Sequence, residues 1–325
     1  MVRYIVKRTL LIIPAELVIL FIFYALIYTL PASRMMMPIH QGGDALDSFF
    51  RAINAPDNFL AKFVRYIYNI VVYQDFGRSA ATRVSIISDM SYRIKNTLFL
   101  LLSGVGVTMI TGIPIGIYAA LRKGRVGDRV VSIISLFLSA IPPYSIAMIL
   151  ALVFCVSLRL LPLLPSYTNP IAYILPAVTI GLGGIASVAR MARSSMLEVL
   201  EQPYITALRS KGLEERSVVL KHALKNALLP IISTLGGFIA QLLCGTLVVE
   251  NFFNVPGLGS FMLYSVSSRD HFEILGCAVI LTLILMCMNL TSDILYAFVN
   301  PKIRLRYAGR PAGIARARDR KEAAQ

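Results

Sequence analysis

The chain has 325 residues, of which 57% are hydrophobic, with a mean hydropathy of +0.71 and a formal net charge of +15. A soluble fold has too little interior for that much apolar side chain, so the class is integral membrane protein. The apolar residues form continuous runs of about 20 or more, without alternation, which is the pattern of spanning helices and not of a barrel.

The first run follows Lys7-Arg8 and reaches Leu30. It is too long for a signal-peptide core and has no small-residue cleavage site, so it reads as a retained span over 9–30. Residues 31–96 are polar and are expected to form a small external subdomain. Within it Phe59, Phe63, Tyr66, Ile67 and Ile70 recur at spacings of three or four, which predicts a helix lying against the membrane or the bundle. The segment closes on a turn, Asp75-Phe76-Gly77-Arg78-Ser79. Spans at 97–121, 130–158, 172–190, 227–249 and 273–299 make the total six. They form a five-helix core over 97–299, followed by a basic tail at 300–325.

Prolines punctuate the spans at Pro114, Pro142-Pro143 and Pro176. The double proline removes two backbone donors and is expected to kink the third span, either as a hinge or cavity wall or as a static bend. Gly112 and Gly116 form a GxxxG, and Gly181, Gly183 and Gly184 crowd the fourth span. Such residues favour close helix packing over pore lining.

With the N-terminus inside, 22 of the 32 basic residues fall on inside segments. Only Arg159 and Arg269 lie on the two short outside loops, and the long 31–96 loop holds the rest. The positive charge is therefore a topology signal, with both termini cytoplasmic. Basic residues spread over four segments without aromatic platforms argue against nucleic acid.

Cys155, Cys244, Cys277 and Cys287 all sit in apolar runs without a CxxC and read as packing residues. His40, His222 and His271 lack metal-ligand spacing, so no metal site is expected. There is no GxxxxGK[ST], HExxH or GxSxG. With no catalytic constellation, the chain is not expected to be an enzyme. Span charges are few: Glu16, Asp293 near an inner end, and Glu250 at an outer end. An ion-coupled secondary transporter would bury more of them.

Residues 203–230, PYITALRSKGLEERSVVLKHALKNALLP, are polar and glycine-broken between apolar runs. Pro203 suits a helical first turn, and Tyr204, Ala207 and Leu208 are expected to share one face. Arg209 and Lys211 suit the last turn, and Gly212 followed by Leu213 fits a left-handed helix stop. A second helix opens at Glu214-Glu215. Its apolar face of Leu220, Ala223, Leu224, Ala227 and Leu228 runs into the fifth span. The pair of helices, 203–211 and 214–226, is either a solvated inter-span loop or a surface built for a partner.

The segment resembles the cytoplasmic coupling motif of ATP-binding-cassette (ABC) importer permeases, written EAA, three residues, Gly, with Leu-Pro downstream. Ala207 matches the first alanine, Gly212 the glycine and Leu229-Pro230 the final pair. Thr206 stands where the general motif has Glu, which the peptide branch commonly lacks too, and Leu208 replaces the second Ala. Further pieces resemble the dipeptide, oligopeptide and nickel branch of that family: Asp75 to Ser79, Ile141-Pro142-Pro143, Leu161-Pro162, Pro256-Gly257-Leu258-Gly259, and Asn300-Pro301-Lys302-Ile303-Arg304. The insert after the first span is similar to that of the first of the branch's two permease subunits.

The resemblance implies the all-α, six-span type I importer permease fold in a bacterial or archaeal plasma (inner) membrane. It implies a heterodimer with a second homologous permease, two cytoplasmic ATPase subunits that bind the ATP, and an extracytoplasmic substrate-binding protein. No cofactor is expected in this chain. Tyr204, Ala207, Leu208, Arg209, Lys211, Gly212, Leu213 and Glu215 would form the ATPase-coupling surface. The loop at about 250–272 would face the binding protein, and spans two to five would line the path. Peptide is the expected cargo, with nickel, oligosaccharide and glutathione as alternatives in the same branch.

Overall fold

A computed structural model describes residues 2–29, 59–79, 82–163 and 170–299. The Asn300–Arg304 run, the basic tail, His40 and the whole 31–58 stretch lie outside the described residues. Among the described residues four single helices are long and apolar enough to cross a membrane: Thr9–Ile27, Ile86–Leu121, Pro170–Leu200 and His271–Phe298. Two bent pairs, Val126–Ala140 with Pro143–Ser157 and Glu215–Ser233 with Gly237–Phe252, bring the number to six when each pair is counted as one span.

In chain order α1 (Val2–Thr29) is followed by α2 (Phe59–Tyr68) and α3 (Ile86–Leu121). Then come α4 (Val126–Ala140), α5 (Pro143–Ala151) and α6 (Ile174–Leu200). The short α7 (Pro203–Ser210) and a single turn, α8 (Glu215–Ser217), lead into α9 (Leu224–Phe252). Two helices, α10 (Leu258–Ser267) and α11 (His271–Val299), complete the described chain. One hydrophobic cluster, containing Leu100, Leu101, Leu175, Ile180, Leu242, Phe253 and Leu258, joins α3, α6, α9 and α10.

The expected GxxxG contact is the seam between α3 and α6. Gly104, Thr108, Gly112 and Gly116 repeat every four residues on α3. A Cβ at Gly116 would lie 2.5 Å from the Ala189 carbonyl oxygen and 2.6 Å from the Ala192 Cβ, so only a bare backbone fits. The Thr108 hydroxyl donates to the Gly181 carbonyl at 2.9 Å. Gly181 and Gly184 pack in this way, whereas Gly183 has open space and lines a cavity.

The double proline does more than kink the third span. Ile141 and Pro142 are both extended, because a residue preceding proline is driven out of the helical region. The chain therefore breaks, and α5 leaves α4 at 102°.

The second span begins at Ile86 and not near 97, so the polar segment after α1 ends about a turn beyond the Asp75–Ser79 turn. Charged residues hide those three turns from a hydropathy reading. Arg93 is accommodated by stacking over the Phe261 ring at 4.3 Å and by the neighbouring Asp89. The fourth span likewise runs on to Leu200, past Arg190 and Arg193. The amphipathic helix expected around 59–70 is present: Phe59, Phe63 and Tyr66 pack their rings on Tyr24 of α1 at 5.3–5.8 Å.

Glu250, fully buried at the end of α9, organises the turn into α10. Its Oε1 accepts from the Thr97 hydroxyl at 2.7 Å, and its Oε2 accepts from the backbone N–H of Gly259 at 2.7 Å and of Ser260 at 3.1 Å. Thr97 in turn accepts from the Leu258 N–H at 2.8 Å. The Pro256-Gly257-Leu258-Gly259 stretch is thus the loop that wraps this carboxylate. Close by, Asp270 accepts from the Ser79 hydroxyl at 2.8 Å, tying the Asp75–Ser79 turn to the start of α11.

Candidate functional site

The residues singled out between Tyr204 and Glu215 all lie on one corner where α6 ends. Gln202 is extended and Pro203 takes the first helical position of α7, where its missing N–H costs no hydrogen bond. Ile205 is fully buried among Ala120, Met196, Val218, Val219, Ala223 and Ala227. Burying such a side chain is worth about 1.5–3 kcal/mol. Leu208 and Leu213 flank the same cluster, half-buried.

Two faces differ from the sequence expectation. On α7 the inward residues are Ile205 and Leu208, three apart, whereas Tyr204 and Ala207 are exposed. On the following segment Val218 and Val219 are buried and Leu220 is 48% exposed. The cause is a π-helical stretch over Val218–Ala223. Its wider turns shift the register, so an α-helical spacing drawn through Leu220 points the wrong way. Ala223 and Ala227 remain buried as expected.

The corner itself is a Schellman stop. Gly212 has φ +75°, its N–H reaches the Arg209 carbonyl at 2.9 Å, and the Leu213 N–H reaches the Leu208 carbonyl at 3.4 Å. Arg209 then spans the corner to Glu215 through two parallel bonds, Nε to Oε2 at 3.0 Å and Nη2 to Oε1 at 2.6 Å. Arg209 holds the Glu215 carboxyl below its ordinary range. Asn226 donates to the Tyr204 hydroxyl at 2.8 Å, a second tie between α7 and the start of α9. Lys211 is exposed at the tip.

The result is a short helix with one face locked into the bundle and the other open. Tyr204, Thr206, Ala207, Ser210 and Lys211 form the open face. Nothing in the corner pairs a nucleophile with a base, and among the described residues no group of three His, Cys, Asp or Glu could hold a metal ion. From this corner Glu215 is helically continuous with α9.

Two cavities lie beside α6 and α9. One of about 210 Å³ is lined by Met109, Val188 and Phe238, and one of about 120 Å³ by Thr179, Gly183 and Gly245; Ser187 and Gln241 line both. Sequence reasoning singled out Gly183 and Pro143, which line the smaller cavity, but not Ser187 or Gln241. It also missed Ile205, for which the spacing of three to Leu208 was the available signal.

Known proteins agree with this architecture. Residues 112–305 match the family described as the binding-protein-dependent transport system inner membrane component. The dipeptide transport system permease protein DppB of Bacillus subtilis (strain 168) is 32% identical over 95% of this chain and all of its own length. The glutathione transport system permease protein GsiC of Escherichia coli (strain K12) is 32% identical over 94% of this chain and 99% of its own. A chain from inward-facing structures of the MetNI methionine ABC transporter superposes with a TM-score of 0.54 at 18% identity, covering 65% of this chain and 96% of that one. The chain therefore belongs to the binding-protein-dependent transport system inner membrane component family, as a multi-pass permease of an ABC importer.

Proposed function

We propose that this permease imports short peptides as one half of a heterodimeric pathway, and that α7 with the Gly212 corner receives the stroke of cytoplasmic ATPase subunits. One observation carries the coupling role: α7 is anchored by a fully buried Ile205 on one side and presents an open face on the other. A loop with no partner needs no such anchor. The similarity to dipeptide and glutathione permeases supports a peptide cargo, since glutathione is itself a tripeptide.

In this reading both termini and the corner face the cytoplasm, and an extracytoplasmic binding protein delivers substrate to the α9–α10 end. ATP-driven closure of the ATPases moves α7. The helical continuity from Glu215 into α9 passes that motion to the substrate path. Pro230 cannot donate to the Asn226 carbonyl, and α9 bends by 57° beyond it, so the segment next to the corner can tilt separately from the rest. The open stripe on α9 holds Ser233, Gly237, Gln241 and Cys244. Other spans expose Ile110, Ile133 and Phe137. That contrast suits α9 to a watery passage and the others to lipid.

The test is reconstitution in proteoliposomes with the second permease, the ATPases and the binding protein. Peptide accumulation should follow ATP hydrolysis and persist in a protonophore. Accumulation by this chain alone, driven by a pH gradient, would replace the proposal with an ion-coupled carrier.

A further inference from the structure

We infer that Asp128 and Arg193 form a clasp that carries the stroke from α7 into α4, a second route beside the one through α9. The inference rests on the coupling reading of α7. Arg193, two turns before the end of α6, places Nε on Oδ1 of Asp128 and Nη2 on Oδ2, the latter at 2.8 Å. Asp128 is 4% exposed and its Oδ2 also accepts the Gly124 N–H at 2.9 Å. The carboxylate thus binds both the α6 side chain and the backbone of the α3–α4 corner.

The contact continues along the same seam in both directions. One turn earlier on α6, Arg190 donates to the Ser135 carbonyl at 3.0 Å and to the Ser139 hydroxyl at 2.7 Å. Beyond it, Lys123 pairs with Glu201 at 2.7 Å, and Glu201 is separated from α7 by Gln202 alone. The Lys123–Glu201 pair is exposed and weak in water. The Asp128–Arg193 fork is mostly buried and geometrically specific, so it dominates.

These contacts make the α3–α4 corner, the end of α6 and the root of α7 one body. α4 runs from that body to the Ile141-Pro142-Pro143 break. Ser139, Ile141 and Pro143 there line the 120 Å³ cavity that also contains Gln241. Movement of α7 relative to the rest of the bundle must therefore displace one wall of that cavity, provided the clasp holds. Asp128 and Arg193 act as positioning residues: they touch no substrate.

The experiment uses the full reconstituted importer and reads peptide translocated per ATP hydrolysed, alongside basal ATPase activity and co-purification of the ATPases. Asp128→Asn and Arg193→Gln should assemble, retain basal hydrolysis and lose roughly tenfold in transport per ATP. The reversed pair, Asp128→Arg with Arg193→Asp, should recover part of that loss. Ser139→Ala, which removes the Arg190–Ser139 bond and the Ser139 bond to the Ser135 carbonyl while Arg190 keeps its own bond to that carbonyl, should show the same change at two- to threefold, and it decides the matter if the single charge variants do not assemble. Unchanged transport per ATP in Ser139→Ala and the assembled charge variants would overturn the inference. So would transport and hydrolysis falling in proportion, the mark of a purely structural pair. Gly212→Val is the control for the underlying reading. If it uncouples while Asp128→Asn does not, only the clasp fails; if it transports normally, the coupling role of α7 fails with it.

Discussion

Substitution at Gly212 separates backbone geometry from packing. An added Cβ there meets nothing within 4 Å, so no side-chain clash contributes. What remains is the left-handed φ of +75°. For an L-residue that conformation costs about 1–2 kcal/mol. Asn tolerates it better because its short polar side chain bonds locally, and a β-branched residue tolerates it worst.

Against that strain stand the forces that hold the corner. The Arg209–Glu215 pair is about half exposed, and such pairs are worth roughly 0.2–1 kcal/mol. The strain of Ala is comparable and that of Val exceeds it, so the corner yields in that order. Ile205, contributing about 1.5–3 kcal/mol by burial, keeps α7 docked throughout. The expected series for ATP-driven uptake is therefore Gly ≈ Asn > Ala > Val, with Val severely reduced, while ATPase co-purification stays constant. Uptake by Gly212→Val at the wild-type level, or an Asn variant as defective as Val, would refute the argument.

Ile205→Ala should cost about 2–5 kcal/mol of local packing, and the yield of co-purified ATPase should drop; unchanged yield would mean that Ile205 is not the anchor. Glu16→Gln should leave uptake intact, because an amide oxygen can still accept the 2.6 Å bond from Thr282; lost uptake would revive the ion-coupled alternative. Ser210→Cys should label only from the cytoplasm and Ser267→Cys only from outside. Both sites are exposed, whereas Ser79 is buried against Asp270 and would report nothing. Because the Glu215 carboxyl is held below its ordinary value of 4.5, its pair with Arg209 contributes fully above that value and is lost as pH falls through the lowered one. Uptake measured with luminal and external pH stepped from 7.5 to 6 should therefore show no break from this corner.

The spans were legible because hydropathy and length leave few alternatives to a membrane helix. Their ends were not. Asp89, Arg93 and Lys95 make the first turns of α3 look like loop, and the partner that makes Arg93 acceptable there, the Phe261 ring, is far away in sequence. The GxxxG seam was legible because a repeat of four on α3 is a local property. The break at Pro142 was legible in place but not in size, since the angle depends on what α5 packs against after the chain leaves α4.

The corner at Gly212 was legible for the same local reason: a helix stop is written in adjacent residues, and Leu208, Gly212 and Leu213 sit where such a stop needs them. The faces on either side were not. The π-helical stretch at Val218–Ala223 adds a residue to the turn without any compositional mark, and it moves Leu220 out to the surface. Arg190 and Arg193 counted in the sequence only as positive charge on one side of the bilayer. In the structure their partners on α4 are 65 residues away for Asp128 and 51 for the Ser139 hydroxyl. Bulk charge sets which side a loop occupies, and the same arginines then serve as specific donors once the fold has brought a carboxylate within reach. In the proposed reading, topology and transmission draw on the same residues, so replacing Arg193 with Lys would keep the first role and weaken the second, because an ammonium cannot match a carboxylate with two parallel bonds.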